Sequence, residues 1–281
     1  MNVIKGRTFP PDRTVIYGPP GVGKSTFACS GPGVLALDYE YGLEHIGPDR
    51  VRGAESWPKT LELVREACLS EGGHTKVVVD TLDRLEDQAT MAVCADGKKK
   101  ALSDFGYGDG FEALLTKWRE LLLILEVARE KGREVILVCH VQQKTQDDPT
   151  IGSYSKYIAA LSKRCWGATH RWADNVLFAN YECGLVEGRA VMTGQRLAYT
   201  QAGTGYDAKN RWNLPHSIPL RWDAFDTARR SSSRPADSIR ASIRSLTTTD
   251  TAEKAEAYIA EAGEDITKLI KIENALKGKR T

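Results

Sequence analysis

No run of apolar residues in this chain approaches the ~20 needed to cross a bilayer; the longest lie at 121–125 and 135–138. The opening residues, MNVIKGRTFPPDRT, lack the apolar core of a signal peptide. The six cysteines (Cys29, Cys68, Cys94, Cys139, Cys165 and Cys183) include no CxxC pair, and no histidine stands at zinc-ligand spacing. Reduced thiols that pack in the core are therefore expected, rather than disulfides or metal ligands. Neither sign of charge is in excess. Lys+Arg 39 against Asp+Glu 37 leaves +2, which excludes a histone-like cation or an acidic tail protein. There is no internal repeat. These absences point to a soluble cytoplasmic protein with no membrane partner. Its 281 residues, 41% of them hydrophobic, suffice for one large domain or one domain with a small appendage.

What is present is alternation. Thr14-Val-Ile-Tyr17, Val34-Leu-Ala-Leu37, Lys76-Val-Val-Val79 and Glu134-Val-Ile-Leu-Val138 are near-continuous apolar runs, the pattern of strands buried on both faces. Helices are expected between them at 24–30, 58–70, 82–95 and 111–131, with Ser56 and Asp109 as cap residues and Gly132 at a helix end. Strand and helix in turn imply parallel crossovers, hence an α/β fold with a mostly parallel sheet flanked by helices. After Val141 a polar loop is expected over 142–152, a helix over 155–166 and a strand over 175–179. An edge hairpin is expected over 182–200, around turn signals at Glu187-Gly188 and Thr193-Gly194. Composition then sets a core over 1–228, a linker over 229–250 (Arg229-Arg-Ser-Ser-Ser-Arg-Pro235) and a small helical segment over 251–281.

Gly18-Pro-Pro-Gly-Val-Gly-Lys-Ser25 matches G-x-x-x-x-G-K-[ST] and lies after a strand and at the opening of a helix. Glycines there let consecutive amides curl around a phosphate, and the helix N-terminus adds its positive end. The nucleotide-binding stretch is thus Gly18, Pro19, Pro20, Gly21, Val22, Gly23, Lys24, Ser25 and Thr26. Lys24 is placed to reach the β/γ-phosphates of ATP, and Ser25 to ligate Mg²⁺. Asp80, at the carboxyl end of Val77-Val-Val-Asp80, is the second expected Mg²⁺ ligand; capping of the helix after it is the alternative.

AAA+ proteins typically carry Asp-Glu at that strand end, whereas Thr81 follows Asp80 here, so the base for water must come from elsewhere. The order of the P-loop, Leu35-Ala-Leu-Asp-Tyr-Glu-Tyr-Gly-Leu43, Val135-Ile-Leu-Val-Cys-His-Val-Gln-Gln-Lys144 and Tyr206-Asp-Ala-Lys-Asn-Arg211 resembles phage RecA-like ATPases of the Sak4 type, the phage nucleotide-binding AAA proteins. The resemblance covers about 14–222. It implies a RecA-like P-loop NTPase with ATP and Mg²⁺ bound, in which Glu40 activates water and Asp38 merely ends its strand. It further implies that His140, or second Gln142, senses the γ-phosphate, and that Lys209 and Arg211 reach a neighbouring subunit's nucleotide in a homo-oligomer.

The same resemblance implies a role in phage recombination, with single-stranded DNA and a single-strand DNA-binding protein as partners. RecA-like proteins place DNA-binding loops after the sensor strand. Here 142–172 carries Lys144, Lys156, Lys163, Arg164 and Arg171, interleaved with Tyr154, Tyr157, Trp166 and Trp172. Cations that follow phosphates, with aromatic faces that stack bases, suit sequence-tolerant single-strand binding. Lys144, Lys156, Lys163 and Arg164 are the expected DNA contacts. A ring helicase, a non-hydrolysing nucleotide-dependent scaffold and a small-molecule kinase remain the alternatives.

Overall fold

The computed structural model of the protein describes residues 10–150, 152–186, 189–233, 236–247, 249–263 and 266–277. Two compact units emerge, one of 1–211 with 215–222 and the other of 212–214 with 223–281.

The first unit is built on a mixed sheet of nine strands among the described residues. In chain order its elements are β1 (Arg13–Gly18), α1 (Lys24–Cys29), β2 (Val34–Asp38), β3 (Asp49–Arg52), α2 (Trp57–Leu69), β4 (Lys76–Asp80) and α3 (Leu82–Asp96). Then follow α4 (Asp109–Glu130), β5 (Glu134–Asp148), β6 (Gly152–Ala159), α5 (Lys163–Trp172), β7 (Asn175–Val186), β8 (Arg189–Tyr199) and β9 (Ser217–Pro219). The strand order is β3-β2-β4-β5-β1-β7-β8-β9, with β6 paired to β5 alone. β1 to β5 and β7 pair in parallel, whereas β8, β9 and β6 are antiparallel additions. The mostly parallel α/β sheet expected from the alternating runs is thus the one observed.

Burial follows from the sequence. Val15, Tyr17, Leu35, Leu37, Val77, Val79, Val135 and Leu137 join the core formed with α2, α3 and α4, where Trp57, Val64, Leu85, Trp118 and Leu121 pack. The intervening Ile16, Ala36, Val78, Ile136 and Val138 are also buried, as continuous apolar runs require. In α4, Leu114, Leu115, Trp118, Leu121, Leu122 and Leu125 recur at three- and four-residue spacing and all point inward. Gly108, left-handed at φ 84°, takes the cap position of α4, so the expected cap Asp109 is the first helical residue instead. Gly132 (φ 79°) closes the other end, its amide bonding the Arg129 carbonyl at 2.9 Å.

Three readings of the sequence are corrected. The expected loop at 142–152 and helix at 155–166 are largely the two arms of an antiparallel hairpin, because β5 runs on to Asp148 and β6 returns beside it. The helix comes later, as α5, where the Ser162 hydroxyl accepts the Cys165 amide at 3.4 Å. The stretch 229–250 is largely helical rather than a linker, holding the end of α6 (Trp222–Ser233), all of α7 (Ala236–Leu246) and the start of α8 (Thr249–Ala262). With α9 (Ile266–Lys277), α7 and α8 form the second unit's own core of Ile239, Ile243, Ala255, Ile259, Ala262 and Leu269. β3 and β9, too short to announce themselves, carry no expectation. The turn signal Glu187-Gly188 lies outside the described residues. No helix among the described residues is long and apolar enough to cross a membrane.

Candidate nucleotide site

Strand register decides where the chemistry collects. Gly18 pairs with His140, Asp80 with Val138, and Asp38 with Asp80, so β1, β2 and β4 end at one edge, where β5 passes through beside them. Ligands of open α/β sheets bind at that carboxyl edge. β5 lies between the strand of the P-loop and the strand of Asp80.

The P-loop needs its glycines for two different reasons. A Cβ on Gly18 would lie 2.1 Å from the Ala179 carbonyl oxygen of β7, so only hydrogen fits there. Gly23 has φ 106°, a conformation that L side chains rarely adopt, and it caps α1. Lys24 is 6% exposed, and its Nζ donates to the carbonyls of Gly18 (2.9 Å) and Pro19 (3.0 Å). Burial lowers its pKa, while the negative charges of Asp80 and Glu40 pull the other way.

Asp80 is 2% exposed, and among the described residues its Oδ1 has no hydrogen-bond partner. Burial pushes its carboxyl up to about 6, against the pull of the Ser25 hydroxyl. An orphaned buried carboxylate oxygen beside a hydroxyl is a donor set that fits Mg²⁺, which takes one or two protein oxygens and keeps its remaining positions for water and phosphate. Ser25 and Asp80 are thus the residues that would hold the ion.

Asp38 is equally buried but fully engaged, its two oxygens accepting the amides of Gly42 and Leu43 at 3.2 Å each. It therefore shapes the turn after β2, and Glu40 is the acid that this turn presents. The Glu40 carboxylate accepts from the Thr81 hydroxyl at 3.3 Å and lies 3.6 Å from His140 Nδ1. His140 is bracketed by Asp83, whose Oδ1 accepts the His140 amide (3.2 Å) while Oδ2 lies 3.0 Å from Nδ1. The Asp83 contact raises the His140 pKa. Burial alone would push Asp83 up, but its bonds to His140 hold it down at about 2. Asp83, the second residue of α3, faces β5 at His140, a placement that the sequence does not announce. Gln142 is occupied elsewhere, donating to the carbonyls of Ala159 and Leu161 at the hairpin base.

The remaining expected residues do not gather here. Lys209 donates to the His170 carbonyl at 2.7 Å, and Arg211 lies 3.0 Å from Asp174, which also binds Arg13. Of the expected DNA contacts, Lys144 and Lys156 are directly opposed on the β5–β6 hairpin. Lys156 is committed to Asp207 at 2.6 Å and Arg164 is paired with Glu112, whereas Lys163 is exposed. Trp166 is buried, while Tyr157 is 41% exposed and stacks on Phe178. Two residues the sequence did not single out, Tyr181 and Arg196, lean on the P-loop from the β7–β8 hairpin.

A family model described as AAA domain matches residues 11–212, which span the P-loop, Glu40, Asp80, His140 and both hairpins. The chain belongs to the AAA domain family. AAA domains are nucleotide-binding P-loop ATPases. None of the curated proteins compared with it matches.

Proposed function

We propose that this AAA domain hydrolyses Mg²⁺-bound ATP and couples nucleotide occupancy to single-stranded DNA in phage recombination, as RecA-like proteins of the Sak4 type do. The observation that carries the reading is β5. One continuous strand runs from Glu134 through His140, at the phosphate edge, into the hairpin that carries Lys144 and stacks Tyr157 at its base. In this reading the P-loop amides and Lys24 bind the phosphates, and the carboxylate of Glu40 orients the attacking water and accepts its proton. When bound, Mg²⁺ supplies charge neutralisation beside Ser25 and Asp80. The imidazole of His140, fixed by Asp83, donates toward the transferring phosphate and passes its displacement along β5. A homo-oligomer and a single-strand DNA-binding protein belong to the same proposal. For Lys209 and Arg211 to act across a subunit boundary, they would have to leave the His170 carbonyl and Asp174.

ATP hydrolysis measured with and without single-stranded DNA, alongside anisotropy of a labelled oligonucleotide with a non-hydrolysable ATP analogue, tests the reading. Stimulation of hydrolysis and a nucleotide-dependent change in DNA affinity are expected. Hydrolysis and affinity each indifferent to the other ligand would remove the recombination role.

A second reading has one observation in its favour. A cleft of about 690 Å³ opens beside Glu40, lined by Tyr39, Tyr41, Glu55, Arg84, Asp87 and Gln88 among others, room for a phosphoryl acceptor. Equal release of phosphate and ADP supports hydrolysis; a phosphate deficit would signal transfer to an acceptor.

A further inference from the structure

Arg196 stands on β8 directly opposite Tyr181 of β7. Its Nη1 lies 3.5 Å from the Val22 carbonyl, and a Cβ on Gly23 would sit 3.0 Å from that same nitrogen. The Tyr181 hydroxyl reaches the Gly21 carbonyl at 3.4 Å. The pair thus touches three consecutive P-loop residues, Gly21 to Gly23, from outside the sheet's central strands. The absence of a side chain at Gly23 leaves the guanidinium room against the loop.

We propose that Arg196 is a nucleotide-contacting residue that binds the phosphates held by its own P-loop. This rests on the ATP-binding reading and adds to it the residue and the subunit that supply the cation. Two comparisons carry it. Arginines elsewhere in this unit have stronger partners: Arg13 and Arg211 are paired with Asp174 and Arg164 with Glu112, while Arg133 donates to the carbonyls of Ala67 and Cys68 at 2.9 and 2.8 Å. Among the described residues no carboxylate pairs with Arg196, and its bond to Val22 is at the outer limit of length. A guanidinium carries five donors in a fork that matches phosphate oxygens, so a bound polyphosphate is the stronger partner. Placement is the second comparison. Lys209 pairs with Val176, which is in register with Val15, three residues before Gly18. That leaves Lys209 about 10 Å down the sheet from the P-loop of its own chain. Arg196 is already at the loop.

Two full-length variants test the assignment: Arg196→Ala and Arg196→Lys. Binding of a fluorescent mant-ATP is titrated for each, and hydrolysis is followed in mixtures with Glu40→Gln. Arg196→Ala is expected to bind mant-ATP about tenfold or more weakly, the scale of a hydrogen bond to a charged group. Arg196→Lys should recover part of that loss and shows that the fold is intact. Mixing Arg196→Ala with Glu40→Gln should restore nothing, because each site then lacks one of its own residues. Restored activity in the mixture would show that Arg196 serves a neighbour and would overturn the proposal. Unchanged binding by Arg196→Ala would overturn it as well. A wild type that fails to bind mant-ATP would sink the ATP reading itself, a result distinct from either.

Discussion

The carboxyl of Asp80, 2% exposed and raised to about 6 by burial, is held in a state that the fold alone does not favour. Its pKa is above the unfolded value, so the ionised form costs stability above about pH 6, and the cost fades as pH falls toward 4. The shift corresponds to about 3 kcal/mol. Asp80→Asn is therefore expected to raise the melting temperature of the nucleotide-free protein at pH 7.5 and to raise it much less at pH 4. The same variant should lose Mg²⁺-dependent ATP binding; a variant neither stabilised nor impaired would remove Asp80 from the metal site. Glu40→Gln should keep nucleotide affinity and lose about 10²–10⁴ of hydrolysis, the usual contribution of a positioned base. Asp83 raises the pKa of His140, so the imidazolium persists to higher pH than an unpaired histidine would allow. In Asp83→Asn the His140 titration midpoint, followed by NMR, should move to lower pH. No movement would separate the two residues.

At the scale of elements, the hairpin of β5 and β6 makes distinct claims for two lysines that face each other. Lys144→Ala is expected to weaken single-stranded DNA binding and reduce its salt slope by about 0.7, the loss of one phosphate contact on a single strand. Lys156→Ala should act instead on stability, since it strips Asp207 of a 2.6 Å partner. Equal effects of both on DNA affinity would contradict this division. The hairpin also shows where the sequence is readable and where it is not. The P-loop and the apolar runs ending at Leu37, Val79 and Val138 were legible, because buried parallel strands are continuous apolar runs. In Gly152-Ser-Tyr-Ser-Lys-Tyr-Ile-Ala159 the apolar content is low, and a period of two competes with the helical spacing of Tyr157, Leu161 and Trp166. The neighbouring strand decides for the period of two, through partners that lie four to eighteen residues away. Asp83, Tyr181 and Arg196 were hidden for the same reason, since their importance comes from partners 57, 160 and 174 positions distant.

For the whole molecule, the two units have separate interiors. The C-terminal helices pack few large side chains around Ile239, Ile243, Ile259 and Leu269, so this core has little to spare. Ile259→Asp places an unpaired charge at a position that is 6% exposed and should unfold α7 to α9. Hydrogen exchange should then show protection lost over 236–277 and kept over β1, β4 and β5, with ATP binding retained. Loss of protection throughout would mean that the nucleotide-binding unit cannot stand without the other.

Five of the six thiols are buried, and burial pushes those of Cys29, Cys68, Cys139 and Cys165 upward, away from reactive thiolate. Cys183 alone is exposed, two residues from Tyr181 and next to the irregularity in β7. The wild-type chain therefore carries a natural attachment point for a maleimide dye two residues along β7 from the tyrosine whose hydroxyl reaches the P-loop. One label, added without mutagenesis, would turn nucleotide arrival into an optical signal.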